Sequence, residues 1–132
     1  MEVIKFRQKC KLKKIKLYIA NNLEVANKCN ADGLYISAYN KKKYFNNIPK
    51  IGSAHNLKEI NEKIYQNCRT IIISRLFKTT YKEKTSYLGI IRFNLLKKNF
   101  NLNFCPLGGI TNNNLLKLKL VNCESIALLS EV

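Results

Sequence analysis

One pattern limits what this chain can fold into: a small turn, a short unbroken apolar run and a closing serine, repeated along the sequence. Cys29-Asn30-Ala31-Asp32-Gly33 leads into Leu34-Tyr35-Ile36-Ser37, Cys68-Arg69-Thr70 into Ile71-Ile72-Ile73-Ser74, and Cys123-Glu124-Ser125 into Ile126-Ala127-Leu128-Leu129-Ser130. Continuous apolar runs of this length suit strands buried on both faces, which helices alternating with parallel strands provide. The segments between the runs carry helical spacing. Leu57, Ile60, Ile64 and Tyr65 fall on one face, with Asn56 as a cap and Glu59 three residues on as its capping-box partner.

The expected order is helix 3–13, strand 16–20, helix 22–29, strand 33–37, loop 38–49, strand 50–54, helix 56–66, strand 70–76, loop 77–87, helix 88–98, strand 104–108, helix 112–121 and strand 125–130. That is an α/β chain of about six parallel strands, with right-handed crossovers. Its 132 residues fit a single domain, 1–132, with no linker or low-complexity tail. A complete (β/α)8 barrel has eight strands and typically about 250 residues, so the expected architecture is an incomplete, TIM-barrel-like sheet.

Composition narrows the function classes. No apolar run approaches the roughly 18 residues of a membrane span, and the lysine-interrupted start is unlike a signal peptide, so a soluble cytoplasmic protein is expected. Five scattered cysteines without a CxxC pair, and a single histidine, argue against zinc and for reduced, buried thiols. The net charge of +16 invites a nucleic-acid reading. Yet the chain has 20 Lys against 4 Arg, beside 18 Asn and 15 Ile, a set that A/T-rich codons inflate together. The basic clusters Lys11–Lys16 and Lys41–Lys43 also lack interleaved stacking aromatics. A solvated lysine surface is expected, and nucleic acid is not.

The strongest local chemical signal is Pro106-Leu107-Gly108-Gly109-Ile110-Thr111 followed by Asn114, at the end of an expected strand and the start of a helix. Adjacent glycines let backbone N–H groups approach an anion closely, and a helix N-terminus adds a positive dipole end. The serine ending the next run, Ser130, would complete such a cradle. The same glycines would equally serve a tight turn in which they only prevent clashes.

Five segments in order resemble the thiamine phosphate synthase/TenI family. Ala31-Asp32-Gly33-Leu34-Tyr35 is similar to its ADGVH element and Gly52-Ser53-Ala54-His55 to its SAH motif. Leu76-Phe77-Lys78-Thr79-Thr80-Tyr81-Lys82 with Leu88-Gly89 resembles its FPTxTK…LG loop, Gly108-Gly109-Ile110-Thr111 with Asn114 its GGIT…N element, and Ser125–Ser130 its closing DGVAVIS strand. The resemblance covers roughly residues 17–132 and implies a barrel lacking its first two strands and last helix. It implies a transferase that joins an aminopyrimidine diphosphate to a thiazole phosphate and releases pyrophosphate. By the same resemblance Lys82 would pair with the departing pyrophosphate, with Ser53 and Thr79 as hydrogen-bond donors, and Gly108, Gly109 and Ser130 would hold the thiazole phosphate. Family members hold magnesium with two aspartates; the matching positions here are Asn21 and Asn40, which offer neutral carbonyl oxygens. In the TenI branch a histidine at the position of His55 moves a proton in a thiazole tautomerisation. Three readings stand from the sequence: synthase or tautomerase, a non-catalytic phosphate-binding paralogue, and an RNA binder motivated by charge alone. An incomplete barrel exposes strand edges, so self-association, or a partner that completes the barrel, is expected.

Overall fold

The computed structural model describes residues 1–79 and 86–128. Its elements are α1 (Glu2–Leu12), β1 (Tyr18–Ala20), α2 (Leu23–Lys28), β2 (Gly33–Ile36), β3 (Lys50–Ala54), α3 (Leu57–Tyr65), β4 (Thr70–Ser74), α4 (Gly89–Asn99) and β5 (Asn103–Leu107), followed by a 3-10 helix, Leu115–Leu120. All strand pairs are parallel, and the sheet order follows the chain, β1-β2-β3-β4-β5. This is the winding of a barrel wall, and the architecture is the expected α/β one.

Local chemistry sets the helix starts. The Asn22 side chain accepts from the Val25 N–H at 3.0 Å and caps α2; Asn56 does the same for α3 through the Glu59 N–H at 2.9 Å. The Glu59 carboxylate reaches back one residue further than a capping box requires, to the His55 N–H at 2.7 Å. At the opposite end of the sheet, Asp32 accepts from both terminal nitrogens of Arg7, at 2.6 and 2.9 Å, and from the Leu17 N–H at 2.7 Å. The Leu17 N–H foremost, then Arg7, holds its carboxyl below the usual carboxylate range, although burial opposes this. The aspartate of the Ala31-Asp32-Gly33 element thus ties α1 to the turn before β2.

Two expected elements differ. The helix expected at 112–121 is the 3-10 helix Leu115–Leu120, none of whose residues is buried. Its leucines alternate with lysines at period two, and the Asn114 side chain is used by the preceding turn instead of capping. The strand expected at 125–130 contributes, among the described residues, one parallel bridge between Ala127 and Leu107. Expected burial on both faces is also corrected. Along β3 and β4 buried and half-buried residues alternate. Leu34, Ile36, Ala54, Ile71, Ile73 and Phe104 pack with Ala26, Ile60 and Phe93 in the core. Tyr35, Ile51, Ser53, Ile72 and Ser74, on the opposite face, remain half-buried. A sheet that does not close leaves that face partly open.

Among the described residues the lysine surface has two exceptions. Lys63 is fully buried: its ammonium donates to the Asn40 carbonyl and to Gln66 Oε1, both at 2.8 Å, and at 3.5 Å to the Ala38 carbonyl. Lys50 is buried too and donates to the Asn46 and Ile48 carbonyls at 2.8 and 3.1 Å. Desolvation lowers the pKa of both. Together they hold the long β2–β3 connection from beneath. Gly52 makes room for this: a Cβ there would lie 2.6 Å from Lys63 Cδ. All five cysteines are free thiols, four of them buried.

Candidate functional site at the C-terminal edge of the sheet

The parallel register brings Ser53, Ile72 and Cys105 level across β3, β4 and β5. The residues that follow each strand therefore gather along one edge: His55 after β3, Arg75 after β4, Gly108 and Gly109 after β5. Open α/β sheets place their ligand crevices at this edge.

At the end of β5, Gly108 (φ +102°) and Gly109 (φ +68°) are both left-handed. A Cβ on Gly109 would sit 2.5 Å from the Phe77 carbonyl oxygen and 2.6 Å from that of Lys78; one on Gly108 would meet Arg75 Cγ at 2.9 Å. The glycines thus admit the loop that follows β4. Asn114 fixes the turn, accepting from the Thr111 N–H at 2.8 Å and donating to the Gly109 carbonyl at 2.6 Å. The N–H groups of Gly109 and Ile110 have no partner among the described residues. Thr79 Oγ1, one residue beyond Lys78, is buried and likewise without a partner there. A buried hydroxyl is rarely left unpaired, and successive N–H groups in a left-handed turn suit an acceptor-rich ligand.

Next to the turn a cleft of about 350 Å³ opens between α3 and α4. Ile60, Ile73 and Leu96 line its apolar side, and His55, Ser74, Arg75, Tyr87 and Arg92 its polar side. His55 Nδ1 lies 3.0 Å from Glu59 Oε2. Burial works against ionisation of Glu59, but the backbone and ring of His55, with Asn56, outweigh it and keep the carboxyl below its usual value. The pairing fixes the orientation of the imidazole, an arrangement that proton transfer can use.

Ser53 accepts from the Tyr35 hydroxyl at 2.9 Å on the half-open face. Asn21 and Asn40 meet directly: Asn40 Nδ2 donates to Asn21 Oδ1 at 2.8 Å. The Ser37 N–H also donates to Asn21 Oδ1, at 3.1 Å, and the Lys42 N–H to Asn40 Oδ1, at 2.9 Å. These residues do not fit magnesium, because neither is a carboxylate and both amide oxygens are already engaged by the chain's own donors.

The structure therefore sets Gly108 and Gly109 against the Arg75–Lys78 loop, one residue short of Thr79, places Ser53 and His55 along the same edge, and sets Asn21 and Asn40 in a polar knot of their own. Lys82 and Ser130 lie outside the described residues. Sequence reading missed Arg75 and Arg92. The signal was available: two of only four arginines stand at one cleft, while lysine dominates elsewhere.

Comparisons with known proteins bear on the family and the fold. The profile of the TMP-TENI family, thiamine monophosphate synthase, matches residues 1–132. Two proteins of Prochlorococcus marinus strains, each named thiamine-phosphate synthase, are 31% and 29% identical over 99% and 93% of this chain. The chain spans 39% and 37% of their lengths, about two fifths. The structure of a thiamine phosphate pyrophosphorylase from Pyrococcus furiosus superposes with a TM-score of 0.75 at 16% identity, over 96% of this chain and 66% of that one. At that identity the likeness establishes the TIM-barrel-like fold. No described helix is long and apolar enough to cross a membrane.

Proposed function

Because the chain belongs to the thiamine monophosphate synthase family, we propose that it acts in thiamine biosynthesis, binding a thiazole phosphate and coupling it to aminopyrimidine diphosphate with release of pyrophosphate. The observation that carries this reading is the turn after β5. Two adjacent left-handed glycines leave the N–H groups of Gly109 and Ile110 without a partner among the described residues, and the loop packed on Gly109 leads directly to Thr79, whose buried hydroxyl likewise has none there. Phosphate oxygens are the acceptors such a cradle suits. Arg75, packed against Gly108, leads from the turn into the cleft, whose apolar side suits a small ring.

In this reading Gly108, Gly109 and Ser130 hold the thiazole phosphate. Lys82 and Arg92 balance the charge of the leaving pyrophosphate, with Ser53 and Thr79 donating hydrogen bonds. Expulsion of a diphosphate from an electron-rich ring needs charge stabilisation more than a base. No step is assigned to magnesium. The His55–Glu59 pair favours a second reading, a TenI-type tautomerase in which His55 moves the proton. If neither activity is present, the cradle marks a non-catalytic phosphate-binding paralogue. Residues 1–132 act in this proposal as one cytoplasmic domain. Its half-open sheet face and the β1 edge invite self-association or a partner that completes the barrel.

Calorimetric titration with thiazole phosphate tests the cradle. Thr79→Val removes one hydroxyl without touching the backbone and is expected to weaken binding about tenfold, the worth of one hydrogen bond to a charged group. Gly109→Asp is expected to abolish it. Wild-type protein that does not bind thiazole phosphate would refute the reading. Thiamine phosphate formed above a Lys82→Ala control identifies the synthase; its absence, with binding retained, moves attention to His55.

A further inference from the structure

Asn21 and Asn40 form a closed unit whose hydrogen-bonding capacity is almost wholly used. Asn21 is left-handed (φ +55°); its Nδ2 donates to Ser37 Oγ at 2.8 Å, and its Oδ1 takes the two donors already described. Asn40 Nδ2 donates to Asn21 and also to the Tyr44 hydroxyl at 3.0 Å, and that hydroxyl donates in turn to the Asn21 carbonyl at 3.1 Å. Beneath the unit, the Asn40 carbonyl accepts from the Lys63 ammonium and from Gln66 Nε2, each at 2.8 Å. The segments after β1 and β2 are thereby joined side chain to side chain. The buried Lys63 amine already stands below them.

We propose that this amide knot replaces a divalent cation, so that the chain orders this edge of its site and binds its phosphate ligand without any metal. The inference rests on the phosphate-binding reading above and deepens it. Three features carry it. A hard dication needs anionic oxygens with lone pairs to spare, and Asn21 Oδ1 has none left. The contact between the two side chains is donor to acceptor, which needs no bridging ion; two carboxylates in the same places would set oxygens about 2.8 Å apart and would require a bridging cation or a shared proton. Finally, the Asn40 carbonyl already accepts from Lys63 Nζ and Gln66 Nε2, so the backbone oxygen nearest the pair is not free to serve a cation. The anion is then met by the backbone cradle after β5, with the permanent charge of Arg92 in the neighbouring cleft.

The test uses the wild-type chain and Mn²⁺ as a spectroscopic substitute for magnesium. Electron paramagnetic resonance is expected to show Mn²⁺ remaining free at millimolar concentration. Thiazole phosphate affinity is expected to be the same in magnesium and in EDTA. Tight Mn²⁺ uptake, or an affinity that falls about tenfold or more in EDTA, would overturn the proposal. Asn21→Asp/Asn40→Asp supplies the contrast: it is expected to take up Mn²⁺ and to gain thermal stability from magnesium, as any ligand of the folded state confers. The decisive measurements are made on the wild-type chain, so a double variant that fails to fold leaves them standing. Were thiazole phosphate not bound in either buffer, the functional reading would fall, while the Mn²⁺ experiment would still decide between knot and metal site.

Discussion

Gly52→Ala is the perturbation whose cost follows most directly from the coordinates. The added methyl would stand 2.6 Å from Lys63 Cδ, 2.9 Å from its Cγ and 3.0 Å from Cys68 Sγ. Non-bonded carbons settle at about 3.5–4.0 Å, so the lysine stem must retreat by roughly 1 Å. An ordinary surface lysine would do so freely. This one is held at its far end by the Asn40 carbonyl and Gln66 Oε1. Overpacking of this kind costs about 1–3 kcal/mol, and the entropy advantage of alanine over glycine in a strand offsets about 0.5–1 kcal/mol. A net loss of about 1–2 kcal/mol is expected, read as a lower urea midpoint at unchanged slope in circular dichroism. The stronger test is the cycle with Lys63→Ala, which removes the clashing stem. In that background Gly52→Ala is expected to cost at least about 1 kcal/mol less, a coupling in the range measured for residues in contact. Equal costs in both backgrounds, within about 0.3 kcal/mol, would refute the claim that Gly52 exists to admit the buried lysine.

Two further expectations follow from titrating groups. Asp32 has a folded pKa below its unfolded value of about 3.9, so its stabilisation is complete above that value and fades as pH falls through the folded pKa. Asp32→Asn should lower stability at neutral pH and flatten the acid limb of a pH–stability curve; an unchanged limb would count against the Arg7–Asp32–Leu17 tie. Burial pushes the Cys68 thiol up to about 11, so iodoacetamide at mildly alkaline pH should modify it only in denaturant. Rapid alkylation in the native state, located by mass spectrometry, would contradict that burial.

The fold was readable where one signal dominated. Repeated apolar runs with turn residues located β2 and β4, and the Asn56 cap with the helical spacing behind it located α3. Reading failed where a signal had two meanings. Leu-Leu-Lys-Leu-Lys-Leu carries enough leucine to look helical, but its alternation exposes half of any α-helix, and the chain forms a 3-10 helix there. The unbroken run Ile71-Ile72-Ile73 looks doubly buried, yet the half-buried state of Ile72 depends on how far the sheet closes, which no local pattern encodes. Lys50 and Lys63 were hidden among twenty lysines because burial is decided by the loop carbonyls they meet. The glycine turn was legible as a backbone requirement. Its neighbours Arg75, Phe77 and Lys78 were not visible as such, because they arrive from another strand's loop through parallel pairing.

The strand order carries a consequence for assembly. Each strand's neighbours in the sheet are its neighbours in the chain, so every βα unit docks onto an edge that the preceding residues have already built. Such a wall can grow stepwise from a nucleus during synthesis, with short loop closures throughout. It can also gain or lose a unit at either margin during evolution without rewiring the pairings that remain.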